Sequence, residues 1–242
     1  MRTGTGAGRA LETTFEASVM QICGREIVAD RSGILCLPDE RTLVVADLHL
    51  EKGSAFAVRG RMLPPYDTRE TLERLATAIA RYHPRSVIAL GDSFHDRRAG
   101  ERLGPDERAR LRRLQAGREW VWITGNHDPA ISASVGGIVR ESMALGPLVL
   151  RHEPASGPVA GEIAGHLHPA ARVLLNGARL RRPCFVADRT RIVLPAFGAF
   201  TGGLNVLDAA FGRLFEPAGA FEVHVLGRDG VYPVATASLG PD

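Results

Sequence analysis

The tetrapeptide Gly125-Asn126-His127-Asp128 constrains this chain more than any other stretch. It follows the apolar run Trp120-Val121-Trp122-Ile123, which reads as a buried strand of a parallel sheet. Pro129 comes next, and its ring disfavours helix at Asp128, so the four residues form a turn. A turn past the C-terminal end of a parallel strand is where α/β sheets receive ligands. Side chains that bind cations or move protons make a poor core, so this turn is expected to meet something.

The same arrangement recurs upstream. Arg41-Thr42-Leu43-Val44-Val45-Ala46 runs into Asp47-Leu48-His49, and Ser86-Val87-Ile88-Ala89-Leu90 runs into Gly91-Asp92. Between them, Asp67 reads as a helix cap with Glu70 in capping-box position. Leu72, Leu75, Ala76 and Ile79 form the apolar face, and Pro84 marks the end. Strand, helix and strand make a crossover unit, so the two strands are expected to be parallel, with Asp92 beside Asp47 at one sheet edge. Two carboxylates so placed repel unless a cation lies between them, which makes Asp92 a candidate bridging ligand. Asp47 and His49 offer an oxygen and an imidazole to one ion. The loop Ser93-Phe94-His95-Asp96-Arg97-Arg98 supplies His95, Arg97 and Arg98 as candidate substrate contacts; the two arginines read equally well as a solvated pair. Pro105 begins another helix, with Leu111 and Leu114 facing in.

Past Pro129 the pattern changes to short strands between Gly/Pro turns. Residues 147–150 run into Arg151-His152, and residues 159–164 into Gly165-His166-Leu167-His168-Pro169. Five of the 8 histidines therefore follow apolar runs, whereas structural histidines should scatter, as His83 and His224 do. His166 and His168, two residues apart beside Gly165, are expected to serve two adjacent metals better than one if the chain turns between them. Residues 183–187 and 191–194 are further strand-like runs, and 195–205 is a glycine-rich turn region. Arg179, Arg181 and Arg182 form the densest late basic group.

Composition sets the outer bounds. The 242 residues suffice for one α/β domain, and 45% hydrophobic with 24% charged residues is ordinary for a soluble protein. Residues 1–15 read as disordered, 16–208 as the domain, and 209–242 as an extension with a hairpin around Gly227-Arg228-Asp229-Gly230 and a frayed end. No stretch approaches a membrane span or a signal peptide. Three cysteines without CxxC spacing make a cytoplasmic protein the default. A net charge of +3 and a pI near 9.0 allow an anionic partner. Lys52 is the only lysine, so the cationic surface is made of guanidinium forks suited to phosphate oxygens. The segment 51–66 reads as a long loop in which Lys52, Arg59 and Arg61 alternate with Phe56 and Tyr66, a composition that could track a phosphate backbone.

Taken in order, Asp47-x-His49, Gly91-Asp92, Gly125-Asn126-His127-Asp128, His152 and Gly165-His166-x-His168 resemble the five motifs of the calcineurin-like metallophosphoesterase superfamily. The resemblance implies a four-layer α/β/β/α sandwich of two mixed sheets flanked by helices. It places Asp47, His49 and His168 on one metal and Asn126, His152 and His166 on the other, with Asp92 bridging. Two divalent transition metals are implied, Mn²⁺ first, with Fe and Zn²⁺ as alternatives. Such a pair, about 3.5–4 Å apart, acidifies a bridging water and clamps phosphate oxygens. His127 is left to protonate the leaving oxygen, with Asp128 either orienting its ring or serving as a turn residue.

A narrower likeness rests on Gly91-Asp92-Ser93-Phe94-His95-Asp96, Gly165-His166-Leu167-His168-Pro169, Arg182-Pro183-Cys184-Phe185 and residues 194–205. These look like the bacterial ligase-associated DNA-damage-response endonucleases of the PdeM type. That group implies a Mn²⁺-dependent phosphodiesterase that nicks single-stranded DNA and works with a DNA ligase, an exonuclease and a helicase. No membrane partner is implied, and a homodimer is compatible with it. The alternatives are a phosphodiesterase or phosphatase for a nucleotide or other small phosphoester, and a non-enzymatic scaffold. The scaffold is disfavoured because every ligand position and His127 are filled.

Overall fold

Every side chain of the segment Thr42–Ala46 is buried, and alternate residues enter different cores. Leu43 and Val45 pack on one face, Val44 and Ala46 on the other, as the two-residue period of a strand requires. A strand covered on both faces belongs at the centre of a layered α/β protein. The structure is a computed structural model; it describes residues 17–58, 60–61, 66–175, 177–215 and 220–242.

Seven strands build the first sheet: β1 (Ala17–Ile22), β2 (Arg25–Asp30), β3 (Leu35–Leu37), β4 (Thr42–Ala46), β5 (Ser86–Leu90), β6 (Glu119–Ile123) and β7 (Ile138–Arg140). They lie in sequence order, antiparallel from β1 to β4 and parallel from β4 to β7. The second sheet holds β8 (Ser142–Leu145), β9 (Leu148–Arg151), β10 (Glu162–Ala164), β11 (Pro169–Leu175), β12 (Ala178–Ala187), β13 (Arg191–Val193), β14 (Leu204–Asn205), β15 (Glu222–Leu226), β16 (Val231–Val234) and β17 (Leu239–Gly240). The helices are α1 (Lys52–Val58), α2 (Asp67–Tyr82), α3 (Ala99–Arg102), α4 (Pro105–Gln115) and α5 (Ala209–Gly212).

Three apolar layers join these parts into the expected four-layer sandwich of two mixed sheets. Leu72, Leu75 and Ile79 of α2 and Leu111 and Leu114 of α4 pack on Val87, Ala89, Trp120 and Trp122. Between the sheets, Ile88, Leu90, Val121 and Ile123 meet Leu150, Ile163, Phe185 and Ile192. Beyond the second sheet, Cys184, Val186 and Val193 are covered by Phe211 and Phe215 around α5. Fully burying each of these side chains contributes about 1.5–3 kcal/mol of transfer free energy.

Several local expectations change. The segment expected as a loop over 51–66 contains α1, while Arg59 lies outside the described residues, as does the N-terminal stretch 1–15. Asp67 is the first residue of α2 rather than its cap; Tyr66 holds the cap position without a side-chain bond. The Asp67 carboxylate instead accepts the Gly53 N–H of α1 (3.0 Å), and Thr68 Oγ1 accepts the Glu51 N–H (2.7 Å). A short helix without an apolar stripe is therefore held by its neighbour. The strands β7, β8 and β11 are additional, and the run at 159–164 is a strand only over Glu162–Ala164.

The end of the chain is paired rather than frayed. β15 pairs with β12 and, through the turn at Gly227 to Gly230, with β16; β17 pairs with β11. Among the described residues, no helix is long and apolar enough to cross a membrane.

Candidate active site

Parallel pairing of β4, β5 and β6 brings their C-terminal ends to one edge, and the loops beyond them are laced together. The Asp47 N–H meets the Gly91 carbonyl (3.3 Å), His49 N–H the Asp92 carbonyl (2.9 Å), and His95 N–H the Leu50 carbonyl (2.9 Å). Across the interface between the sheets, β9 and β10 deliver His152, His166 and His168 to the same place.

Backbone strain concentrates here. Ten described non-glycine residues have positive φ, and five of them are Asp47, His49, Asp92, His166 and His168, with φ between 43° and 71°. Left-handed backbone at such residues costs of order 1–3 kcal/mol each and persists where the surroundings over-determine it. Two glycines make the required space. A Cβ on Gly91 would stand 2.4 Å from the His152 ring, and one on Gly125 would stand 2.3 Å from Asp92 N and Oδ1. Gly125 therefore admits the Asp92 carboxylate, a steric reason more specific than freedom to turn.

The side chains fall into two adjoining groups. In one, His168 Nε2 lies 3.2 Å from Asp47 Oδ1 and 3.3 Å from His49 Nε2. In the other, His152 Nδ1–H donates to the Leu90 carbonyl (2.9 Å), which turns Nε2 toward Asn126 Oδ1 (3.0 Å), His166 Nδ1 (3.2 Å) and Asp92 Oδ2 (3.4 Å). Donor atoms bound to one ion at about 2.0–2.2 Å stand about 2.8–3.6 Å from each other in octahedral or tetrahedral geometry, so both groups fit a cation. His49 Nδ1 is buried without a hydrogen-bond partner. Asp47 connects the groups: Oδ2 accepts the His166 N–H (3.0 Å) and Oδ1 is 3.8 Å from His152 Nδ1. Asp92, expected as the bridge, sits with His152 and His166 and accepts the His127 N–H at Oδ1 (2.9 Å).

The charges follow from this crowding. Burial opposes protonation of His152, but the hydrogen bond to Asp92 and the charges of Asp47 and Asp92 outweigh it and raise the imidazole to about 9. Burial and the neighbouring His168 push His49 the other way. For His168, burial is again outweighed, by Asp47 and by a bond to the Gly202 backbone, so its pKa rises.

His127 is 41% exposed at its side chain, beside both groups, with Nε2 3.9 Å from Asp92 Oδ2. Its Nδ1 lies 2.9 Å from the His95 carbonyl. Asp128 does not orient this ring. Its Oδ1 accepts the Gly125 N–H (2.9 Å) and its Oδ2 the Phe94 N–H (3.0 Å), so it clamps the loop. Burial raises its carboxyl to about 7 despite those bonds. His95 stands with His49 and His127 in a third cluster of imidazoles. Arg97 and Arg98 are exposed, and Arg98 pairs with Glu101 of its own helix (3.6 Å). A cavity of about 160 Å³ adjoins His168, walled by Arg181, Arg182 and the Thr201-Gly202-Gly203 turn. The clustering of late arginines was the one sign of it in the sequence.

The calcineurin-like phosphoesterase family matches residues 40–173, more than half of the chain. The crystal structure of Pseudomonas putida nuclease MPE is similar, with 31% identity and a TM-score of 0.69 over 90% of this chain and 100% of that one. Yfce, a phosphoesterase from E. coli, is 15% identical with a TM-score of 0.39 over 80% of this chain and 98% of that one. No curated protein matches the chain. Matched over these motifs and over nearly all of a solved relative, the chain belongs to the calcineurin-like phosphoesterase family, metal-dependent hydrolases of phosphoesters.

Proposed function

We propose that this chain is a binuclear-metal phosphodiesterase that nicks single-stranded DNA in bacterial DNA repair. The carrying observation is the pair of adjoining donor groups, each with ligand-to-ligand spacings that fit one cation, beside an exposed histidine outside both sets. In this reading Asp47, His49 and His168 hold one metal, and Asn126, His152 and His166 the other. Asp92, which stands in the second group, is the bridging ligand of this reading, and Asp47 contacts both groups. The donor set of imidazoles, carboxylates and an amide suits Mn²⁺, Fe or Zn²⁺, with Mn²⁺ preferred. Bound metals acidify a water and polarise the phosphoryl oxygens.

The chain's own groups do the rest. Gly125 and Gly91 let Asp92 and His152 close on the centre, and the Leu90 carbonyl fixes the His152 tautomer. Because a carbonyl can only accept, His127 Nδ1 carries a proton, and Nε2 is the nitrogen that gains and loses one. His127 Nε2–H then protonates the departing oxygen of the strand. The nuclease relative and the arginine-rich surface favour a DNA diester over a small phosphoester. Work beside a ligase, an exonuclease and a helicase in the cytoplasm completes the reading.

The test is nicking of circular single-stranded DNA across a metal series. Mn²⁺-dependent nicking lost in Asp92→Ala and His127→Ala is the expected result. Intact DNA alongside brisk hydrolysis of a small phosphodiester would sink the DNA assignment.

A further inference from the structure

We propose that the cavity beside His168 is a backbone subsite, in which Arg182 and Arg181 hold a phosphate of the strand next to the one being cut. The inference rests on the DNA reading above and adds where the strand runs. β11 and β12 place Arg172 directly opposite Arg181. Like charges opposed across a sheet repel unless an anion lies with them. Here that anion is the Asp242 carboxylate, 3.1 Å and 3.4 Å from Arg181 Nε and Nη2 and 3.9 Å from Arg172 Nε. The chain thus already seats an oxyanion at this spot. Arg181 Nη2 also donates to the Gly203 carbonyl (2.6 Å), which aims the guanidinium along the cavity wall.

Arg182 is exposed, and among the described residues its guanidinium donates only to the neighbouring Arg181 carbonyl, from Nη1 at 3.2 Å, which leaves most of its fork open. The cavity measures about 160 Å³. On a scale where one water needs about 10–15 Å³, that is ample for a phosphate group. Its far wall is His168, a member of the Asp47 group, so an anion held at the arginines lies one step from the metal centre. At the mouth, a Cβ on Gly202 would meet nothing within 4 Å, which leaves the entrance open. Next along the turn, Phe200 is 49% exposed with φ +59°, and Lys52 Nζ holds its carbonyl (2.8 Å). An exposed ring on the residue preceding the Thr201-Gly202-Gly203 wall, near Arg181 and Arg182, is the pairing that single strands use, stacking for the base and charge for the backbone.

The experiment measures binding of a labelled single-stranded oligonucleotide by anisotropy across a salt series, with Ca²⁺ replacing Mn²⁺. Each phosphate contact on a single strand contributes about 0.7 to the slope of log K against log salt. Arg182→Ala is expected to flatten the slope by about that amount and weaken binding several-fold at unchanged Tm, while Arg182→Lys keeps the slope. Asp242→Asn frees Arg181 and is expected to tighten binding several-fold. A wild-type slope in Arg182→Ala, or no tightening in Asp242→Asn, overturns the subsite while leaving a protein that nicks DNA. Wild-type protein that hydrolyses a small phosphodiester but neither binds nor nicks the strand overturns the DNA reading, and the subsite with it.

Discussion

The imidazole of His127 gives its Nδ1 proton to the backbone carbonyl of His95, 2.9 Å away, and not to the adjacent Asp128. In the proposed mechanism the proton that moves is therefore on Nε2, while both Asp128 carboxylate oxygens accept loop N–H groups. Replacing His127 with Ala is expected to slow cleavage of an alkyl-oxygen diester by roughly 10²–10⁴. Cleavage of a p-nitrophenyl diester should suffer far less, because that leaving group departs without a proton. Asp128→Asn should keep the wild-type contrast between the two esters and cost about 1–3 kcal/mol of stability through a lost backbone acceptor. If Asp128→Asn instead removes the contrast, it orients His127 after all.

Gly91 is one of the tight points of the centre. A methyl group there collides with the His152 ring at 2.4 Å, on backbone with φ +69°. Gly91→Ala is expected to displace His152, lower bound metal to about one ion per chain, and cost at least about 1 kcal/mol in strained backbone. Elemental analysis with a urea melt reads both; full metal content would contradict the steric account.

Metal should stabilise the fold because the left-handed conformations at Asp47, His49, Asp92, His166 and His168 are held against their preference. Adding Mn²⁺ to chelator-treated protein is expected to raise Tm, by the equivalent of about 2.7 kcal/mol when the ion reaches a hundred times its Kd. A melting temperature indifferent to metal would count against a bound cation.

Away from the centre, Arg191 and Glu162 form a pair in the second sheet, with side chains 1% and 3% exposed and Nε 2.6 Å from Oε2. Arg191 also donates to the carbonyls of Leu214, Ala155 and Gly157, and Glu162 Oε1 accepts the Ala155 N–H. Arg191→Met leaves the buried carboxylate with only Arg151 at 3.7 Å and the Ala155 N–H against it and is expected to cost about 3–5 kcal/mol in urea unfolding. The double change Arg191→Met with Glu162→Leu should recover part of it. Equal losses in single and double variants would show that the unpaired carboxylate is not the source of the cost.

Much of the site was legible because its strands are local and covered on both faces. Continuous apolar runs marked β4, β5 and β6, and a crossover of fixed hand makes them parallel, so Asp47, Asp92 and Asn126 had to share an edge. His166 and His168 fall in different groups because both take left-handed backbone; in extended chain, residues two apart would share a face. Short elements stabilised from outside were not legible. α1 has no apolar stripe; Asp67 and Thr68, fourteen and seventeen residues from their partners, accept the N–H groups of Gly53 in its first turn and of Glu51 just before it.

Sequence alone determined which residues stand at the ends of the strands, since burial and period are properties of a few neighbouring positions. Tertiary structure decided what those residues meet. The His95 carbonyl and Asp128 compete for nothing along the chain, yet folding gave His127 to one and the loop N–H groups to the other. Placement of Asp242 on Arg181, 61 residues apart, depends on β17 reaching β11. Such pairings are set by the packing of two sheets against one core, and no local pattern encodes them.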